Sequence, residues 1–173
     1  MNATAREQTG QRPSREDIRM RTRMRRQARI MKAINVPMRR VLSLPFPTPL
    51  SRRLMLVTIT GRRSGRLYRQ PLSYVRDGEV LLTPGGGKWT LNLSEDQPVP
   101  VRLRGRRCHA RPELVRDRAV VTDLLRVMTT TNPGVSRFIP FIASDGTIDQ
   151  ARLATALRHG FCVVRWHLYS RTA

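Results

Sequence analysis

From residue 54 to residue 113 the chain alternates strand-length apolar segments with tight reversals. Leu54–Thr60 and Leu67–Val75 read as strands, followed by Glu79–Thr83, Val99–Arg104 and Arg106–Glu113. Asp77-Gly78 is a strong hairpin signal, and Gly105 between two arginines marks a second tight reversal. A helix is expected over roughly Arg116–Thr129, with Val120, Val121, Leu124, Leu125 and Met128 turned inward. Thr147 with Gln150 forms a capping-box pattern that opens a last helix to His159, and Gly160 stops it. Phe161–Tyr169 closes the chain as a strand. Val163, Arg165 and His167 fall on one side of it, and Cys162, Val164, Trp166 and Leu168 on the other. Five consecutive strands with short turns and a sixth after the helices predict a mainly β or α+β fold. The architecture expected is a small antiparallel barrel with flanking helices, not a doubly wound sheet.

The first reversal is also the richest in chemistry. Gly61-Arg62-Arg63-Ser64-Gly65 joins two strands, so two glycines bracket two guanidinium groups and a hydroxyl. Glycine permits the sharp turn and close approach of a ligand to backbone N–H groups. Arginine supplies a planar, permanently charged fork suited to phosphate or carboxylate. An anionic ligand at a sheet corner is the physical reading of this stretch.

Charge extends that reading to the whole surface. The chain carries 33 basic and 12 acidic residues, a formal net charge of +21. Of the basic residues only Lys32 and Lys88 are lysine. The excess is spread along the chain, with 14 basic and 3 acidic residues in positions 1–53. Such a surface attracts polyanions: nucleic acid, anionic lipid or a multiply charged cofactor. Cys108 and Cys162 stand far apart with no Cys-x-x-Cys, so reduced, buried thiols are expected. No apolar run approaches the ~20 residues of a membrane span, and the N-terminus lacks an apolar signal region. A cytoplasmic location follows as the expectation.

Residues 1–53 read as a basic arm and residues 54–173 as the barrel domain. Within the arm, Ser14 and Asp17 suit a helix start. Met20, Met24, Ala28, Met31 and Ile34 then recur at helical spacing among arginines, and Pro37 is expected to end the helix. The methionine stripe of this amphipathic helix, residues 14–36, fits either the barrel surface or an anionic membrane. Pro45, Pro47 and Pro49 make an extended connector.

Pro84-Gly85-Gly86-Gly87-Lys88-Trp89 is a second candidate ligand loop. Its three glycines allow the backbone to approach a flat ring or a phosphate, Lys88 adds charge, and Trp89 adds an apolar face. It is not a phosphate-binding P-loop. That motif would need glycine at position 82 and Ser or Thr at 89, where Leu82 and Trp89 stand. Nor does a βαβ unit of the dinucleotide-binding kind surround it. His109, His159 and His167 lack metal-ligand spacing, so no metal is expected. Glu95 and Asp96 read as solvated residues of a polar turn. With no catalytic residue apparent, any redox chemistry must come from a cofactor that the protein holds and orients.

Thr60-Gly-Arg-Arg-Ser-Gly65, Pro71-Leu72, Tyr74, Arg76-Asp77-Gly78, the glycine loop, and Trp89 with Asn92-Leu93 together resemble the deazaflavin-dependent nitroreductase family. The resemblance covers about residues 54–113. It implies a split β-barrel of the flavin-reductase type that uses coenzyme F420. The activity implied is hydride transfer from the reduced deazaflavin to a nitro compound, a quinone or a similar acceptor. It also implies that Arg62, Arg63, Ser64 and Gly65 bind the anionic end of the cofactor, with Gly85, Gly86, Gly87 and Lys88 alongside.

The chain also departs from the family pattern. Tyr68 stands where the family usually has arginine, and Arg69 beside it points the other way. The glycine loop is shorter, and its lysine is displaced to Lys88. The tyrosines that line the acceptor pocket in the family have no clear counterpart, and Trp89, Phe138 and Phe141 are the aromatics left for that role. A flavin mononucleotide user is the alternative within this fold. A basic binding protein for nucleic acid or an anionic membrane is the alternative outside enzymes. Aromatics at 5% with no recognition motif argue against nucleic acid.

Overall fold

The computed structural model describes residues 37–169, with the side chains of residues 137 and 138 excepted. The helix expected over residues 14–36 lies outside the described residues. Residues 37–42 are helical, with Pro37 as the first described residue of that helix.

Seven strands form one antiparallel sheet: β1 (Leu54–Thr60), β2 (Leu67–Ser73), β3 (Val75–Asp77), β4 (Val80–Pro84), β5 (Val99–Leu103), β6 (Arg106–Val115) and β7 (Val163–Tyr169). Their order across the sheet is β2-β1-β5-β6-β7-β4-β3. The segment expected to be one strand, 67–75, is therefore two strands. β2 pairs with β1 at one edge of the sheet, and β3 pairs with β4 at the other. Only Tyr74 separates them, so the sheet must curl until its two edges nearly meet. The result is a split barrel, as the resemblance implied, with seven strands where about six were expected.

Tyr74 holds that closure. It is 7% exposed, its N–H donates to the Arg53 carbonyl at 3.1 Å, and its hydroxyl donates to the Ser51 carbonyl at 3.2 Å. Ser51 belongs to a short 3₁₀ turn, Leu50–Arg52, and is itself buried, as is Leu42 upstream.

Strand alternation sorts the side chains into two cores. Met55, Val57, Ile59, Leu81, Val101, Cys162, Val164 and Trp166 fill the barrel. The opposite face of β3, β4 and β7 contributes Val75, Leu82 and Val163 to a second core beneath the helices. The two sides expected for the last strand are therefore as observed. Inside the barrel the Trp166 indole N–H donates to Thr83 Oγ1 at 2.9 Å, which satisfies a fully buried donor.

Helix α1 spans Arg118–Thr131 and α2 spans Gln150–Arg158. Asp117 caps α1 by accepting from Val120 N–H, and Val121, Leu124, Leu125 and Met128 face inward. Val120, expected inward, is 37% exposed because it lies beside the cap on the solvent side. The cap of α2 is Asp149, which accepts from Ala151 and Arg152, and not Thr147. The N–H of Thr147 instead donates to Asp145 in the preceding turn. Gly160, at φ +90°, ends α2 as expected.

Candidate functional site

The Gly61–Gly65 corner is built by two crossed backbone bonds. Gly61 N–H donates to the Arg66 carbonyl and Gly65 N–H to the Gly61 carbonyl, both at 2.8 Å. Gly65 takes φ +63°, a left-handed conformation in which a side chain is strained. Gly61 is needed for space: a Cβ there would lie 2.7 Å from the Tyr68 ring. Tyr68 packs over Gly61, and its hydroxyl sits 3.2 Å from Ser64 Oγ.

The corner is fastened to the turn after the glycine loop. Arg62 N–H donates to Asn92 Oδ1 at 3.0 Å, and the Arg62 guanidinium donates to the Leu93 carbonyl at 2.6 Å. Asn92 Nδ2 donates back to the Lys88 carbonyl at 3.0 Å. The structure thus brings Arg62, Arg63, Ser64 and Gly65 together with Lys88 and Trp89. Asn92 is the connecting residue. It belongs to the quoted sequence pattern, but only the folded chain shows that its amide joins the two loops.

The glycine loop has intramolecular reasons for its composition. Gly85 N–H donates to the Cys162 carbonyl at 2.8 Å, and a Cβ on Gly85 would meet Cys162 Sγ at 2.7 Å. Gly86 takes φ +111°, and its Cβ would meet the Phe161 backbone at 2.8 Å. These two glycines let β4 pass closely over the Gly160–Cys162 segment. Gly87 lies against the Trp89 ring instead. Half-buried Trp89 stacks on Trp166, with ring centroids 6.3 Å apart and an interplanar angle of 11°, so it plugs one end of the barrel core.

Of the aromatics proposed for an acceptor pocket, Phe141 lies away from the corner. Phe141 is 6% exposed in the helix-side core and meets Phe161 edge to face. The side chain of Phe138 lies outside the described residues. The exposed apolar groups of the corner are others: Leu67 and Tyr68 on β2, and Leu91 in the 3₁₀ turn Thr90–Asn92. Leu67 and Leu91 are each 69% exposed, a large apolar exposure beside the exposed arginines 62, 63 and 66. Strand alternation alone could not have found them, because it assigns faces and not exposure.

Two glutamates have structural partners. Glu95, expected to be solvated, accepts from Leu114 N–H at 2.8 Å and anchors its turn to β6. Glu113 on β6 pairs with Arg165 at 2.9 Å and His167 at 2.8 Å on β7. Partial burial alone would raise the Glu113 carboxyl. Hydrogen bonds from His167 and Arg165 and their charges outweigh it and hold the group below the ordinary carboxylate range. Burial raises both the Cys108 and Cys162 thiols, and both are free cysteines. No group of three or more potential metal ligands occurs among the described residues.

A family model described as F420H(2)-dependent quinone reductase matches residues 23–139, more than half of the chain. The chain belongs to that family. Two solved structures are similar in part. One is a candidate pyridoxamine 5′-phosphate oxidase from Listeria innocua, 12% identical, TM-score 0.46, covering 68% of this chain and 85% of that one. The other is a candidate 5-nitroimidazole antibiotic resistance protein from Bacteroides thetaiotaomicron, 15% identical, TM-score 0.43, covering 67% of this chain and 72% of that one. No curated protein matches the sequence. Family membership makes the chain an oxidoreductase of the F420-related kind in general. No described helix is long and apolar enough to cross a membrane.

Proposed function

We propose that the Gly61–Gly65 corner holds the anionic end of a reduced deazaflavin of the F420 type, and that the chain passes hydride from it to a quinone, with nitro compounds as a second acceptor class. The observation that carries this reading is the Arg62–Asn92–Lys88 connection. It sets exposed arginines and an exposed apolar patch side by side on one rigid double loop.

The residues present fit such a group. One Arg62 donor is engaged by Leu93, which aims the guanidinium, while Arg63 and Arg66 stay exposed for phosphate or carboxylate oxygens. A Cβ built on Gly65 meets no atom within 4 Å, so the approach to the corner is open. Leu67, Tyr68 and Leu91 offer apolar surface to a flat ring, and the Ser64–Tyr68 hydroxyl pair offers a hydrogen bond to its polar edge. When bound, the cofactor supplies a hydride, and a quinone that takes it with a proton from water becomes a quinol. The protein contributes binding and orientation: an anchored double loop costs little to order on binding.

The test is a fluorescence titration of F420 with the full chain and with Arg63→Ala. Micromolar binding that weakens at least tenfold in the variant supports the placement. Equal affinity in both refutes it.

A further inference from the structure

The barrel has a second opening, at the other end of β1. Arg52 lies two residues before the start of β1, whereas the corner follows its last residue. Seven residues of strand separate the two ends by about 20 Å. A cleft of about 830 Å³ opens at the Arg52 end. Arg52, Arg76, Arg104 and Arg106 reach it from four different parts of the fold: the 3₁₀ turn, β3, the β5–β6 turn and β6. Its floor is apolar, made of Leu103, Leu168 and Cys108, which pack against the barrel core. Among the described residues no carboxylate lines it.

Two features show that this rim is held in place. Arg104 takes φ +48°, and among the described residues it is the only non-glycine with positive φ. With Gly105 at φ +80° it forms a two-residue hairpin turn of the type in which Asn-Gly is the favoured pair. An arginine there is strained where asparagine would be comfortable. The turn is also clamped by the proline connector. Gly105 lies so close to Phe46 that a Cβ would meet its backbone at 2.7 Å, and Arg102 Nη1 donates to the Leu44 carbonyl at 3.1 Å.

We infer that this mouth is a binding site for an anionic amphiphile, a single apolar chain bearing a carboxylate or phosphate head. Four like charges around one opening repel one another until an anion sits among them. The apolar floor accepts the chain, and the arginine forks take the head group. The site lies apart from the corner and does not depend on the cofactor reading.

The experiment uses the full chain and monomeric dodecanoate, followed by calorimetry and by the rate at which iodoacetamide alkylates Cys108. One dodecanoate per chain is expected, at least tenfold tighter than uncharged dodecanol, with Cys108 protected. Arg106→Gln and Arg104→Asn should each weaken binding about tenfold. Arg126→Gln, on the solvent side of α1, should not change it. Arg104→Asn should also raise the thermal midpoint by a few degrees, since it relieves the turn. That variant keeps the test decisive should Arg106→Gln fold poorly. Saturable binding to phosphatidylglycerol vesicles alone, lost in the same variants, would keep the site and assign the head group to a bilayer lipid. Equal binding of dodecanol, an unprotected Cys108, or equal losses in Arg126→Gln would overturn the inference.

Discussion

The Arg62 guanidinium donates to the Leu93 carbonyl at 2.6 Å, across thirty-one positions of sequence. A side chain that sequence would assign to a ligand is therefore also a fastener between two loops. Arg62 and Arg63, adjacent and chemically identical, should behave differently when removed.

Arg63→Ala should weaken F420 affinity with little effect on stability, because its side chain is exposed. Arg62→Ala should cost about 1–2 kcal/mol of stability as well, the scale of a hydrogen bond from a charged donor. Together the pair should lose roughly 2–4 kcal/mol of cofactor binding. Urea melts and fluorescence titrations of both single variants check this. Identical stability losses would remove the distinction.

Gly86→Ala places a Cβ 2.8 Å from the Phe161 backbone at φ +111°, where neither partner can yield cheaply. A loss of about 2 kcal/mol or more is expected from strain of this kind. Gly87→Ala meets only the Trp89 side chain at 3.0 Å and should cost less. Chemical denaturation of both variants measures the order, and the reverse order would contradict the packing described.

Thr83→Val keeps the shape of Thr83 but leaves the buried Trp166 indole N–H without its acceptor. A cost of about 1–3 kcal/mol follows from an unsatisfied buried donor. Thr83→Ser retains the hydroxyl and should recover part of it. Equal losses in the two variants would show that the methyl group, not the hydrogen bond, matters.

Glu113 is held below the ordinary carboxylate range in the folded chain, so it is more protonated when unfolded at a given acid pH. Its contribution is present above the ordinary value of 4.5 and is lost as pH falls through the lower folded value. Thermal midpoints should drop on that acid limb, and Glu113→Gln should flatten the drop. The effect is modest, because the group is partly exposed and screened. An unchanged acid limb in the variant would exclude Glu113 as its source.

Leu42 is buried, and Ser51 accepts from Tyr74 at the barrel closure. A chain beginning at Met38 should therefore fold and bind cofactor, whereas one beginning at Leu54 should melt lower. We further propose that residues 14–36 attach the protein to anionic vesicles in a salt-dependent manner, at about 1 kcal/mol per surface-adjacent basic residue. Co-sedimentation of the full chain and the Met38 chain at low and high salt tests it. Equal pelleting would remove the membrane role of the arm.

What sequence by itself determined here is local. The alternation Cys162-Val164-Trp166 specifies a strand and its buried face, because successive side chains must alternate. Gly65, Gly78, Gly105 and Gly160 specify reversals, because their positive φ is open to glycine at little cost. The corner with its arginines was legible for the same reason: it is a contiguous string of residue types with a direct chemical meaning.

Partnership was decided by tertiary structure. The apolar run from Leu67 to Val75 carries no local sign that its end leaves for the opposite edge of the sheet. That depends on where β4 and β7 lie. The glycines at 85 and 86 read as room for a ligand, and only the fold shows that they also make room for the Gly160–Cys162 segment. Aromatic character made Phe141 a plausible pocket residue, but the helices bury it. Four arginines scattered from position 52 to 106 become one charged mouth only when the sheet curls. Each of these depends on contacts between residues far apart in sequence, and such contacts leave no signature in the local pattern at either end.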